Sequence, residues 1–416
     1  MNDRPVHLLV TDDLQRSRLT VLFRLLFALP HLIWLALWGI AAFVAVVLNW
    51  FATLIAATSP RALHNFLAAY VRYAIHVSAY LSLAADPFPD FLGRPGYPVD
   101  VEIAPPARQN RWTVGFRIVL AIPALLLAGT LTTAGARGYG ANYGTGLLGV
   151  ASFLGWFAAL ARARMPRGLR DAMAYALSYA AQLDAYLFLL TDRYPNGDPQ
   201  VAIGELPARD DPIRLDATGA PLERSRLTVF FRLLLALPHI VWLTLWGIAA
   251  FFAAIANWFA TLIGGRSPEA LHRFLAAYVR YQTHVYVYLY LIANPFPGFT
   301  GREGSYPVEL TIAAPQNQNR WTVGFRIFLA IPALFISSAY GGVLYVVALL
   351  GWFTGLFVAR MPLGLRNAGA LALRYSAQTN GYLYLLTDAY PYSGPVAATP
   401  AQAPPQVSPS PLGGVV

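Results

Sequence analysis

Arg18-Leu19-Thr20-Val21-Leu22-Phe23-Arg24, followed by the apolar run Leu25 to Leu48, is the stretch whose reading decides the fold. The run carries no charge beyond a protonatable His31 and exceeds the ~20 apolar residues that cross a bilayer. Its opening recurs as Arg111-Trp112-Thr113-Val114 with Phe116-Arg117, as Arg226-Leu227-Thr228-Val229 with Phe231-Arg232, and as Arg320-Trp321-Thr322-Val323 with Phe325-Arg326. Later landmarks keep step: Pro30, Pro123, Pro238 and Pro332, then Trp50-Phe51, Trp156-Phe157, Trp258-Phe259 and Trp352-Phe353. Repetition on this scale makes the repeat the structural unit. The units are expected at 1–93, 94–199, 200–303 and 304–392, ahead of a disordered Pro-, Ala- and Ser-rich tail at 393–416.

With 57% hydrophobic and 12% charged residues and a mean hydropathy of +0.48, the chain is far more apolar than a soluble domain. An integral, multi-pass protein of the cell membrane is expected. Met1 to Arg24 is polar and shows no apolar core before a small-residue site, so no cleavable signal peptide is expected. All 30 basic residues are Arg, spread through flanks and loops rather than gathered in a basic domain, which argues against nucleic acid as a partner. There is no Cys, which removes disulfides, thiolate metal sites and Cys nucleophiles.

Each unit begins with alternating residues after a Pro: Val6-His7-Leu8, Val99 to Ile103, Ile213-Arg214-Leu215 and Val308 to Ile312. Period-two alternation reads as amphipathic strands. Unpaired strand edges are forbidden in lipid, so the four strands are expected to pair in one small sheet outside the bilayer. If all emerge on one face, each unit crosses an even number of times. Two crossings per unit, Pro30 to Thr58 and Ala62 to Ala85 in the first, give about eight transmembrane helices. A second count folds the first stretch as a hairpin and lays the second helix at the interface. The expected class is thus an all-α polytopic membrane protein of four tandem units with a small extramembrane sheet. Unit two carries an extra Gly-rich segment around Thr133 to Gly140, read as an external loop in preference to a re-entrant plug. Arg density favours the loops between the two helices facing the cytoplasm, with the strands outside.

The series R-L-T-V-x-F-R, A-L-P-H, N-W-F-A, S-P-x-A-L and Y-L-x-L before D-x-F/Y-P resembles the bacterial membrane family catalogued as domain of unknown function 4389, in tandem copies over nearly all of residues 1 to 392. The resemblance implies a membrane class and no activity.

Candidate functional residues lie on the second helix of each unit. Counted from Pro60, Pro166, Pro268 and Pro362, positions +1, +5, +12 and +16 fall within about 60° of helical arc and are polar in every case but Leu363. The inner two are Arg72 and His76, Ser178 and Gln182, Arg280 and His284, Arg374 and Gln378. Beside them run Tyr73 and Tyr80, Tyr179 and Tyr186, Tyr281 and Tyr288, Tyr375 and Tyr382. Facing inward, the stripes would set Arg72, Arg280 and Arg374 against the single acid Asp184 in a lumen that suits an anion. Otherwise they join helices to one another. Asp184 is expected to pair with one of the three arginines. Arg18, Arg24 and their copies read as boundary anchors that snorkel to phosphates. The histidines show no H-x-x-H or H-E-x-x-H spacing, so neither metal nor cofactor is expected. No G-x-S-x-G, phosphate loop or buried carboxylate pair occurs, which places catalysis last. The leading expectation is a structural or lipid-interacting component of the bacterial cell envelope whose partners are membrane lipids, anionic ones included. The alternative is a transporter or channel for an anionic solute or lipid.

Overall fold

The computed structural model describes residues 5–132, 146–204 and 206–397. The Gly-rich insertion around Thr133 to Gly140 and the tail from residue 398 lie outside these described residues. Ser393 to Ala397, assigned above to the tail, instead follow the core: the Tyr340 hydroxyl bonds the Ser393 carbonyl, and Gln200 Nε2 bonds that of Val396 at 2.9 Å.

The four units repeat one plan of strand, long helix and second helix. Unit one runs β1 (Val6–Val10), α1 (Arg18–Ala56) and α2 (Arg61–Leu81). Unit two runs β2 (Val99–Ile103), α3 (Arg111–Gly115), α4 (Arg117–Thr132), α5 (Leu147–Arg162) and α6 (Arg167–Leu187). Unit three follows with β3 (Ile213–Asp216), α7 (Arg226–Phe230), α8 (Arg232–Gly264) and α9 (Glu269–Leu289), and unit four with β4 (Glu309–Ile312), α10 (Arg320–Gly324), α11 (Arg326–Phe357) and α12 (Leu363–Leu383).

Local chemistry sets these boundaries. Ala57, Ala163, Gly265 and Ala359 take left-handed backbone after the long helices, closing them as a C-cap does. Pro60, Pro166, Pro268 and Pro362 then cap the second helices, where a missing N–H costs nothing. Pro30 is accommodated inside α1.

The strands do not form one sheet. β1 pairs antiparallel with β2, Val6 opposite Ile103 and Val10 opposite Val99, and β3 pairs with β4, Ile213 opposite Ile312. Each half therefore closes its own two-stranded hairpin across two units. The ends of the long helices do the same: Arg18 reaches the Ala161 carbonyl at 3.0 Å, and Arg111 the Ile55 carbonyl at 2.7 Å. Two units thus swap ends about a local pseudo-two-fold, and α11 packs on α4 and α5 to join the halves.

α1 (Arg18–Ala56), α8 (Arg232–Gly264) and α11 (Arg326–Phe357) are long and apolar enough to cross a membrane; α4 and α5 are shorter apolar helices. α1 buries one narrow face, with Val21, Arg24, Ala28, His31, Ala42, Ala45, Asn49 and Thr53 turned inward. The rest of its surface is exposed and apolar from Leu19 to Ile55.

A buried asparagine adds a further polar contact between the two units of each half. Asn49 donates to the Phe188 carbonyl at 2.9 Å and accepts from Ser59 at 2.7 Å; Asn257 repeats both with Tyr384 and Ser267. Units two and four have Gly155 and Gly351 at this place, where a Cβ would lie 2.8 Å from Met165 and 2.9 Å from Met361. The halves are therefore asymmetric pairs, Asn against Gly. Asn49→Ala strands a buried carbonyl and hydroxyl, and should lower stability in detergent by about 1–3 kcal/mol, read as an earlier thermal transition.

Candidate functional site

The second helices form a polar middle layer between the long helices and the hairpins. In unit one, Arg72 Nε donates to the Val101 carbonyl at 2.9 Å and lies 3.5 Å from Asp100, while His76 Nε2 is 2.8 Å from the same carboxylate. His76 also stacks on Tyr97. In unit three, Arg280 donates to the Leu310 and Gly301 carbonyls and approaches Glu303 and Glu309, and His284 stacks on Tyr306. Units two and four repeat the arrangement with amides. Gln182 accepts the Asn196 N–H at 3.0 Å and approaches Ser178; Gln378 accepts that of Tyr392 at 3.1 Å and donates to the Ile213 carbonyl at 3.0 Å. Arg374 donates to the Tyr392 and Gly394 carbonyls.

Each stripe is thus covered by an extended segment of the same half. The described contacts of Arg72, Arg280 and Arg374 are with strand and loop carbonyls and with Asp100, Glu303 and Glu309, and the expected pairing with Asp184 is not among them. Asp184 itself is buried. A guanidinium on the covered side of its helix meets the carbonyls of the strand or loop laid over it.

The acids respond to this setting. Burial raises the Asp100 pKa, but bonds from His76 and from the Gly96 and Val101 amides outweigh it, holding the carboxyl below its ordinary range. At the matching place in the second half, on β4 opposite the second helix of unit three, burial wins and lifts Glu309 above its ordinary range. Burial, with Arg280 close by, lowers His284 to about 4, so this imidazole is neutral at pH 7.

The tyrosines divide into two roles. Tyr73 and Tyr281 face the long helices: their hydroxyls lie 2.7 Å and 2.8 Å from Nδ1 of His31 and His239, and their rings stack on Trp38 and Trp246. Tyr179 and Tyr375 are buried, the first reaching the Ala124 carbonyl and the second against the Tyr340 ring. Tyr80, Tyr186, Tyr288 and Tyr382 lie beneath guanidinium groups at 4.4, 4.1, 4.3 and 4.0 Å.

Those guanidiniums belong to Arg24, Arg117, Arg232 and Arg326, and here a second expectation is corrected. They do not reach toward lipid phosphates; all four are buried. Arg24 donates to the Tyr80 and Ala85 carbonyls and pairs with Asp86; Arg232 does the same with Tyr288, Ala293 and Asn294. Arg117 and Arg326 take the Thr191 and Thr387 carbonyls and pair with Asp192 and Asp388. The turns they clasp require it. Leu83, Leu189, Leu291 and Leu385 have φ of 67°, 61°, 62° and 61°, the left-handed region that strains a side chain. Arg16, Gln109, Arg224 and Gln318 bond the carbonyls of those same leucines. The repeated Phe-Arg is therefore an internal lock on the C-terminal end of each second helix. A sequence signal existed: the clasp spans 62 residues in units one, three and four, and 75 in unit two, which carries the insertion.

Sequence reasoning also missed a cavity of about 270 Å³ between β3, α12 and Pro395 to Ala397. Arg209, Arg214, Arg366 and Arg374 line it with Asp211 and Asp216. Nε and Nη1 of Arg374 are buried without a partner. Among the described residues no three His, Asp or Glu side chains gather as a metal site.

The family described as Domain of unknown function (DUF4389) matches residues 18–93, 142–197, 226–300 and 320–393, more than half of the chain. The chain belongs to this family, in four tandem copies. No curated protein and no solved structure matches it. Segments 18–93, 226–300 and 320–393 contain Arg24, Arg232 and Arg326 with their Asp or Asn partners, whereas 142–197 contains Asp192 and Arg117 lies before it.

Arg24→Gln removes a charge-assisted lock from a buried turn and should cost about 2–4 kcal/mol, whereas Arg18→Gln, at an exposed site, should stay within ~0.5 kcal/mol. Thermal unfolding of both variants in the same detergent checks the contrast.

Proposed function

We propose that this protein is a membrane-seated structural, lipid-interacting component of the bacterial cell envelope. One observation carries the reading: the apolar sides of the long helices have no partner in the chain, whereas most of the polar stripe residues bond to the segments laid over them. Leu25, Ile33, Ile40, Phe43 and Ile55 of α1 are 63–75% exposed, and Leu233 and Ile263 of α8 reach 75% and 74%. Contiguous apolar surface of this extent marks a contact with a membrane or another protein, and the length and apolarity of α1, α8 and α11 favour the membrane. Arg72, His76 and Arg280 are engaged by strand carbonyls and nearby acids, and Arg374 by loop carbonyls, as expected of groups that hold layers together.

The expected eight crossings would add the second helices to the long ones. Helices clothed by charged hairpins fit better in a layer at the membrane surface, which leaves the apolar phase to α1, α8, α11 and the paired α4 and α5. Exposed arginines at the helix ends, among them Arg18, Arg61, Arg111 and Arg226, suit anionic head groups. The Arg-lined cavity beside α12 favours the second reading, a path or pocket for an anionic solute, because it offers four guanidiniums against two acids.

Mild-detergent extraction followed by native mass spectrometry separates the two. The protein should carry anionic phospholipid, and reconstituted vesicles should pass chloride or phosphate no faster than empty ones. A lipid-free protein, with vesicle anion flux lost in Arg374→Gln, contradicts the structural reading and supports the solute path.

A further inference from the structure

Resting on that membrane reading, we infer that the long helices lie along the membrane inside one leaflet and do not cross it. The bilayer side that holds the hairpins then holds every other polar part of the described chain as well.

Three observations converge. The first is level. Tyr73 meets His31, well inside α1, while its neighbours Arg72 and His76 on the same helix bond Val101 and Asp100 of β2. His64, nearer the start of α2, sits 3.0 Å from the Ala104 carbonyl. The strand therefore runs alongside α2 at the height of His31 and Trp38, with α2 between it and α1. Were α1 upright in a bilayer, the hairpin would stand at the depth of the hydrocarbon. It has only two strands, and its outer face shows His7, Leu9 and an exposed Glu102. Unpaired strand edges in hydrocarbon cost several kcal/mol per group, and a carboxylate adds more. An in-plane arrangement removes the conflict: hairpin in water, second helices at the interface, long helices in lipid.

The second observation is length. α1 has 39 residues, about 58 Å at 1.5 Å per residue, against a hydrocarbon core of about 30 Å. Its exposed apolar surface runs from Leu19 to Ile55 without a polar break, so fitting it upright would need a tilt near 60°, beyond the 0–40° that crossing helices show. Lying flat, a helix about 10 Å across fits within one leaflet, half of that core.

The third is the equivalence of the two ends. The start of α1 joins the end of α5 through Arg18 and a bridge between Gln15 and Arg164; the end of α1 joins the start of α3 through Arg111 and a bridge between Thr58 and Arg108. Both ends carry the same exposed arginines and the same contacts, exchanged by the local two-fold. An axis along the membrane normal gives both ends one depth. On this seating the inter-helix loops and the strands share a side, in place of the opposite sides that arginine density suggested.

The Cys-free chain allows a direct test with single substitutions at exposed positions: Ser17→Cys just before α1, Arg61→Cys at the start of α2 just beyond the other end of α1, Glu102→Cys on the hairpin, and Phe43→Cys in the apolar face. Each full-length variant is treated with a membrane-impermeant maleimide in spheroplasts and in inverted vesicles. Ser17→Cys, Arg61→Cys and Glu102→Cys should all label from one and the same side, and Phe43→Cys from neither until detergent is added. Labelling of Ser17→Cys and Arg61→Cys from opposite sides overturns the in-plane seating and leaves the membrane reading intact. Labelling of Phe43→Cys from water, with the protein released by alkaline carbonate, overturns both.

Discussion

A strand edge cannot share its depth with hydrocarbon, and the architecture follows from that constraint. Backbone N–H and C=O groups on the rim of a two-stranded hairpin need water or a partner. Here the hairpins lie along the second helices, and those helices lie along the long ones, so the chain is ordered by polarity in layers. Carbonyls of the inner strand surface go to Arg72, Arg280 and Gln378. The outer surface meets water, and the opposite face of the molecule is left to Leu, Ile and Phe.

The layers are held at their weakest points by the clasp arginines. Two residues beyond the end of each second helix a leucine takes left-handed backbone, a conformation costing of order 1 kcal/mol or more. Arg24 and Arg232 bond the carbonyls of Tyr80 and Ala85 and of Tyr288 and Ala293, Arg117 and Arg326 those of Thr191 and Thr387, and each reaches the Asp or Asn side chain that follows and sits over a tyrosine ring. Arg suits the place better than Lys, because its planar fork reaches several acceptors and its face stacks on an aromatic. The absence of Lys from the chain is consistent with this use of Arg, though the exposed arginines have no such explanation.

Much of the architecture was legible in the residues. The four-fold register, the strands beginning after prolines and the second helices opening at Pro60, Pro166, Pro268 and Pro362 all appear as punctuation, which is local chemistry. Pairing was not: nothing in Val6 to Val10 says that Val99 to Ile103 rather than another like-built strand lies beside it, because that choice is made by end-swapping between units. The stripe residues were found as a set, yet their role was hidden. Periodicity shows that Arg72 and His76 share a face but not that Asp100 and the Val101 carbonyl cover it. The clasp arginines were misread because an Arg flanking an apolar run has the same appearance whether it turns to lipid or inward; only the constant spacing to the Asp or Asn distinguishes them.

The central claim is that the long helices lie parallel to the membrane. Polarised infrared spectroscopy of the reconstituted protein in oriented bilayers tests it most directly, since helix orientation sets the sign of the amide I dichroism. The account predicts the dichroism of helices lying in the plane. Dichroism showing the dominant helix axes near the membrane normal would contradict it.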